Sequence, residues 1–130
     1  MDDLYRAQIV DRYKNPRMKH TLDTFTYRYE DHNPLCGDQM VIYLETDDAG
    51  VIVDAGFEGE GCAISQASAD LLLESLIGKS AEDVKKLSKE DILEMLGIEL
   101  GPVRLKCALL SLKVTKAAIY GLESLEDELR

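Results

Sequence analysis

Cysteine is scarce in this chain of 130 residues, and the three that occur are far apart. Cys36, Cys62 and Cys107 include no Cys-x-x-Cys pair, so their spacing alone is weak support for a metal site. An odd number of widely spaced cysteines, in a chain that lacks a secretion signal, argues against structural disulfides. The chemistry of these cysteines therefore has to be argued from their sequence neighbours.

Long apolar runs and an excess of basic charge are also missing. No segment approaches the roughly 20 apolar residues of a membrane span, and the N-terminus lacks the basic and apolar regions of a signal peptide. We therefore expect a cytoplasmic protein, or an organelle protein in its mature form, with no membrane partner. The net charge of −10 argues against nucleic acid as a partner and favours cations or basic proteins.

The composition is that of one folded domain. Hydrophobic residues make up 45% of the chain and charged residues 31%, and this length is enough to bury a core. We expect a single domain over residues 1–130, with residues 123–130 forming a short, frayed acidic tail.

Periodicity predicts a helix first and strands next. Tyr5, Ile9 and Tyr13 recur on one helical face, and Pro16 ends that helix near Lys14. Three extended segments follow, the last two joined by a short turn that predicts an antiparallel hairpin. The predicted strands are Thr24–Tyr29 (with Phe25, Tyr27 and Tyr29 on one side), Met40–Thr46 and Val51–Phe57.

The rest of the chain has helical patterns. A helix is predicted from Ile64 to Ile77, closed by Gly78. Two short helices should follow, each opened by a serine with an aspartate three residues on, and a long, largely buried helix should begin at Pro102. The predicted capping pairs are Ser80 with Asp83 and Ser88 with Asp91, and the short helices end near Lys86 and Leu96. This order predicts an α+β fold, a small three-stranded antiparallel sheet with helices packed on one face.

Cys62 lies where the chain passes from the third strand into a helix. Gly59 and Gly61 allow a sharp turn, which places Cys62 at a tip at or just before the helix N-terminus. Amide groups and the helix dipole favour a thiolate there, the form that binds metal or attacks sulfur. The alternative is a small apolar residue packed under a turn.

The other two cysteines have their own candidate neighbours. A turn at Gly37 would bring Cys36 and Asp38 together, although an ordinary turn with an exposed aspartate also fits. Cys107 lies about two turns into the last helix, three residues after Arg104. For Cys107 alone, a cysteine packed in the core is the simpler interpretation.

Taken together, the three cysteines and Asp38 supply one oxygen and three sulfur donors. Zinc takes four such ligands, and iron–sulfur clusters take cysteine thiolates. Replacing one thiolate by a carboxylate should make such a site more labile, which suits transfer of its contents. His32, four residues before Cys36, is a further candidate ligand, with a purely structural histidine as the alternative.

These motifs resemble the iron–sulfur cluster assembly scaffold family of the IscU, SufU and NifU N-terminal type. The resemblance covers nearly the whole chain, and its strength lies in all the motifs occurring in order. They are Tyr13-Lys14-Asn15-Pro16-Arg17, Cys36-Gly37-Asp38, Gly59-Glu60-Gly61-Cys62-Ala63-Ile64-Ser65 and Arg104-Leu105-Lys106-Cys107-Ala108.

The resemblance implies a scaffold that takes persulfide sulfur from a cysteine desulfurase. With iron and electrons it completes a transient [2Fe–2S] cluster and passes it to recipient apo-proteins, and family members also bind zinc. The implied ligands are Cys36, Asp38, Cys62 and Cys107. We predict Cys36 as the sulfur acceptor, because its Pro/Gly loop gives it access, with Cys107 the rival because cationic neighbours favour its thiolate.

Two departures separate the chain from either branch of the family. Lys106 stands where the IscU branch has histidine and the SufU branch lysine, yet the segment from Cys62 to Cys107 lacks the insertion of SufU. The segment Leu100–Arg104 differs from the docking motif of IscU for an Hsp70-type chaperone by one proline and a lysine-to-arginine change. That difference argues against the chaperone as a partner.

Three functions remain open from the sequence. The first is a cluster assembly scaffold, which is a carrier rather than a conventional enzyme. The second is a SufU-like, zinc-dependent sulfurtransferase that accepts persulfide and holds no cluster. The third is a structural zinc domain, which the carboxylate at Asp38 disfavours because structural zinc sites use cysteine and histidine.

Overall fold

A computed structural model describes residues 2–33 and 38–120. Three strands form one antiparallel sheet in the order β1-β2-β3, which confirms the predicted α+β fold. The predicted tail, residues 123–130, lies outside the described residues. The elements in chain order are α1 (Asp2–Lys14), β1 (Tyr27–Asn33), β2 (Asp38–Thr46), β3 (Ile52–Glu58), α2 (Ala63–Leu76), α3 (Ala81–Lys85), α4 (Lys89–Leu96) and α5 (Pro102–Tyr120).

The helix ends follow the local sequence patterns. α1 ends at Lys14, ahead of the proline that forbids its continuation. Both predicted capping pairs form: Asp83 N–H donates to Ser80 Oγ at 3.2 Å, and Ser88 N–H donates to Asp91 Oδ2 at 2.8 Å. The two short helices and the long α5 are therefore where the sequence predicts them. None of the helices described is long and apolar enough to cross a membrane.

The sheet packs helices on one face, and β2 shows this alternation most clearly. Met40, Ile42 and Leu44 are fully buried in the main core, which they share with apolar residues of α2, α4 and α5. Val41 and Tyr43 point to the other face, where they cluster with a leucine from the segment between α1 and β1. The main core thus lies between the sheet and the helices, and the second face carries only a small cluster.

The prediction for β1 was wrong at both ends. The strand spans Tyr27–Asn33, and Phe25 does not share a face with Tyr27: its ring packs edge-on against Tyr43, on the face away from the helices. Pairing with β2, rather than local propensity, decides the extent of the strand. That pairing holds acidic residues in β1, where Asp31 forms an ion pair with Lys113 of α5 at 3.1 Å.

The other two strands are displaced by one or two residues. β2 begins at Asp38 instead of Met40, and β3 ends at Glu58 instead of Phe57. Val51 is outside β3 and instead forms an isolated bridge with Ser80. The antiparallel hairpin of β2 and β3 is as predicted.

A buried carboxylate on α2 fixes the first helix to the body of the protein. Arg12 donates to Asp70 Oδ2 at 2.9 Å, and the backbone N–H groups of Arg17 and Met18 donate to Asp70 Oδ1 at 2.8 and 2.7 Å. The side chain of Asp70 is 0% exposed, so this charge depends on those partners. Arg12 also pairs with both oxygens of the more exposed Glu74, and this hydrogen bonding lowers the pKa of Glu74.

The Asp70→Ala variant should lose stability because Arg12 and two backbone N–H groups would lose their buried acceptor. We expect a loss of about 3 kcal/mol in the free energy of unfolding, measured by urea denaturation. Glu74→Ala is the matched control, since Glu74 binds the same arginine but its side chain is 45% exposed. Its cost should stay below about 1 kcal/mol. Equal losses of unfolding free energy in the two variants would contradict the conclusion that the buried Asp70 carboxylate holds α1 in place.

Candidate metal centre

Cys62 lies at the tip where the sequence predicts it. It is the N-cap residue of α2, in extended conformation, and the preceding turn uses Gly59 with φ of +129°, a region that glycine adopts far more readily than other residues. Its thiol is free and the residue is exposed. The end of the third strand therefore presents this cysteine to solvent at the start of a helix.

Two glycines let the loop before Cys62 lie directly on the start of β2. A Cβ atom at Gly59 would be 2.0 Å from the carbonyl oxygen of Gln39, and one at Gly61 would be 2.5 Å from Asp38 Oδ1. The Gln39 N–H also donates to the carbonyl of Glu60 at 2.8 Å. These contacts leave no room for a side chain at either glycine, and they bring Asp38 beside Cys62.

Asp38 belongs to β2, and not to the loop before the second strand as predicted. Its side chain is on the helix face of the sheet, the same face as Met40, and the residue is 1% exposed. Its Oδ1 accepts the backbone N–H of Cys62 at 3.0 Å, and its Oδ2 lies 3.7 Å from the sulfur of Cys62. The carboxylate thus fills the notch left by Gly61.

Cys107 completes a compact group of donors. It lies in the second turn of α5 and is 1% exposed. The candidate ligand atoms of Asp38, Cys62 and Cys107 all lie within 4.8 Å of one another. Cys107 is disulfide-bonded in this structure, so the expectation that the chain has no disulfide was wrong for this residue, and its sulfur can bind metal only after reduction. Sulfur and oxygen ligands of a tetrahedral zinc ion are about 3.3–3.8 Å apart, given bonds of about 2.3 and 2.0 Å, so in the reduced protein small movements would let one ion reach all three.

The electrostatics of this group also favour a cation. If the Cys62 thiol were ionised, its charge would stand about 4 Å from the Asp38 carboxylate and repel it by about 4 kcal/mol at an effective dielectric constant near 20. A bound metal ion converts that repulsion into attraction. The residues present therefore fit a thiolate- and carboxylate-bound metal.

The other two predicted ligands are Cys36 and His32. Cys36 lies outside the described residues. His32 is exposed and pairs with Gln39 in the sheet register, one position away from the pair of Asn33 with Asp38. Because successive strand residues face opposite sides, His32 is on the face away from Asp38, and it does not belong to the donor group among the described residues.

Comparison with known proteins places this chain in a family. The model of the NifU-like N-terminal domain matches residues 4–127. The chain belongs to that family. Within it, the chain is 35% identical to the zinc-dependent sulfurtransferase SufU of Bacillus subtilis, with 92% of this chain and 91% of SufU covered. It is also 36% identical to the iron–sulfur cluster assembly scaffold protein IscU of Thermotoga maritima, with 89% and 92% covered.

Solved structures of similar fold agree with this membership. The crystal structure of the SufU protein of Fervidobacterium islandicum superposes with a TM-score of 0.70 at 32% sequence identity, covering 86% of this chain and 93% of that one. A NifU-like N-terminal protein from Brucella abortus superposes at 0.73 with 23% identity, which shows the shared fold.

Sequence reasoning missed how this family member holds Cys62 in place. The hydrogen bond from Cys62 to Asp38 joins residues 24 positions apart. Ser65, fully buried in the first turn of α2, adds a second support by donating its hydroxyl to the carbonyl of Cys62 at 3.1 Å. The run Gly-Glu-Gly-Cys indicated a tight turn, but nothing local indicated which side chain the turn would enclose.

The Gly61→Ala variant should weaken metal binding without unfolding the protein. The new methyl group would lie 2.5 Å from Asp38 Oδ1 and 2.7 Å from Ser65 Oγ, too close for the carboxylate to keep its place in the notch. Loss of such a support lowers metal affinity by about 10- to 100-fold in other sites, and we expect a change in that range by chelator competition with zinc. Gly101→Ala is the control, since a Cβ atom there meets nothing within 4 Å. Unchanged zinc affinity in Gly61→Ala would show that the carboxylate position does not matter.

Proposed function

We propose that this chain is an iron–sulfur cluster assembly scaffold of the cytoplasm. It accepts sulfur from a cysteine desulfurase, binds iron, and holds a transient [2Fe–2S] cluster for transfer to recipient apo-proteins. The observation that carries the proposal is the convergence of donor atoms from Asp38, Cys62 and Cys107 within 4.8 Å of one another. The name of the IscU relative supports it, and the proposal takes residues 1–130 as one NifU N-terminal-like domain.

The proposed ligands are Cys36, Asp38, Cys62 and Cys107. Three of them belong to β2, α2 and α5 or their ends, which the core holds in fixed relative positions. Cys36 precedes Asp38 by two residues in the sequence, which supports it as the fourth donor. Because Asp38 is the one hard oxygen donor among soft thiolates, its bond to iron is the one most readily exchanged.

Sulfur delivery is proposed to begin at Cys36. Its thiolate attacks the outer sulfur of the desulfurase persulfide, the S–S bond of the persulfide breaks, and the desulfurase cysteine leaves as a thiolate. The sulfane sulfur, with its proton, is then bonded to Cys36, and no external oxidant or reductant is needed. The burial of Cys107 supports this choice over Cys107, since a buried sulfur is poorly placed to meet a partner protein.

A second candidate is the zinc-dependent sulfurtransferase. The specific observation in its favour is the compactness of the donor group, because three donors within 4.8 Å suit one tetrahedral ion. In this alternative, zinc holds Asp38 and the cysteines, and one cysteine leaves the metal to accept persulfide. The 35% identity to SufU of Bacillus subtilis supports it.

Reconstitution without oxygen separates the two candidates. Reduced protein supplied with ferrous iron, cysteine, a desulfurase and an excess of thiol reductant, which reduces the persulfide sulfur to sulfide, should develop the visible absorption of a [2Fe–2S] cluster, with two irons and two sulfides per cluster. Cys62→Ser should lose this absorption, whereas Ser75→Ala, at the opposite end of α2, should keep it. Protein that binds zinc and transfers sulfur but forms no cluster would establish the sulfurtransferase instead.

The first sulfur acceptor is identified by mass spectrometry. After brief incubation with desulfurase and cysteine, the peptide containing Cys36 should gain about 32 Da, the mass of one sulfur atom, before the other cysteine peptides do. The adduct should disappear in Cys36→Ser. If it appears first on Cys107, or on the exposed Cys62, and persists there in Cys36→Ser, Cys36 is not the acceptor.

A further inference from the structure

The two oxygens of the Asp38 carboxylate have different surroundings. Oδ1 accepts a hydrogen bond of 3.0 Å from the backbone N–H of Cys62. Oδ2 accepts a longer hydrogen bond from the thiol of the same cysteine, with the sulfur and oxygen atoms 3.7 Å apart. Oδ1 is therefore held by the backbone of Cys62, whereas the partner of Oδ2 is a sulfur that is itself a candidate metal donor.

The backbone N–H that donates to Asp38 belongs to Cys62, the residue at which the loop ends and α2 begins. Cys62 is the N-cap residue of α2, and its side chain accepts no capping hydrogen bond, so the sulfur remains available. A negative charge beside this helix start is also favoured by the helix dipole. Fixing the Cys62 backbone therefore fixes the origin of the side chain that carries the sulfur.

The backbone of Asp38 is itself well anchored. It pairs with Asn33 across the sheet, and the next residue, Gln39, donates its N–H to the carbonyl of Glu60. The start of β2 and the loop before Cys62 are thus joined by backbone contacts, and the Asp38 side chain extends this connection to Cys62 itself.

From this geometry we propose that Asp38 is a positioning residue for Cys62 as well as a metal ligand. Oδ1 stays on the Cys62 N–H whether or not metal is present, and Oδ2 alone binds and releases the metal. Loss of the oxygen–metal bond then opens a coordination position without moving the Cys62 sulfur. The inference rests on the proposed function for the ligand role, whereas the positioning role exists in the metal-free protein.

The test compares Asp38→Asn with Asp38→Ala. Asparagine keeps an acceptor oxygen for the Cys62 N–H but replaces Oδ2 by an uncharged amide nitrogen, which is a poor ligand. Alanine removes both. In metal-free, reduced protein, hydrogen exchange of the Cys62 amide should be nearly unchanged in Asp38→Asn and at least tenfold faster in Asp38→Ala.

Zinc affinity, measured by chelator competition, gives the second readout. We expect a loss of about tenfold in Asp38→Asn, for the missing charge and ligand, and of about 100-fold in Asp38→Ala, for the mispositioned Cys62 in addition. Ser65→Ala is the matched control: it removes a hydrogen bond to the Cys62 carbonyl but leaves the N–H contact, so amide exchange at Cys62 should not change tenfold.

Two results would overturn the positioning role. One is an equal exchange rate of the Cys62 amide in Asp38→Ala and wild type, and the other is equal acceleration in Asp38→Asn and Asp38→Ala. If Asp38→Ala does not fold, Gly61→Ala replaces it, since its methyl group displaces the same carboxylate. Wild-type protein that binds neither zinc nor iron would refute the proposed function, while the exchange data would still decide the positioning role.

Discussion

The organisation of this protein depends on the buried carboxylate of Asp38 and the exposed sulfur of Cys62, held 3.7 Å apart. A cation bound between the two would be attracted by the carboxylate and by a cysteine thiolate alike, so the geometry is useful if the rest of the fold maintains it. Three parts of the fold maintain this geometry. β2 supplies Asp38, the glycine turn supplies Cys62, and α5 brings Cys107 from the other side.

The parts of the fold that sequence predicted correctly are governed by neighbouring residues. Pro16 stops α1 because it restricts the residue before it, and Ser80 with Asp83 opens α3 because the two side chains reach each other within one turn. Cys62 at a helix start follows from the glycines just before it. Much of the element order, and the position of Cys62 at a helix start, could therefore be predicted from such short-range constraints.

The parts that were missed depend on residues distant in sequence. β1 extends to Asn33 because β2 lies beside it, so its acidic residues are in a strand that propensity would not select. Arg12 and Asp70 are 58 positions apart, and only the acidic residue in an otherwise apolar and small stretch of α2 hinted at a buried ion pair. Asp38 was assigned to a loop for the same reason, since its strand exists only through pairing.

The placement of the donors also limits how the site can release what it holds. α5 is fastened to α2 beside Cys107, where Ser68 donates to the carbonyl of Ala108 at 2.7 Å, and the backbone of Asp38 is fixed by its strand pairing. Moving either element would disrupt buried hydrogen bonds, which costs more than exchanging one oxygen ligand. In the proposed function, the Asp38 oxygen is therefore the donor most readily exchanged among those in the described part of the chain, and a rigid scaffold is then compatible with a transient cargo.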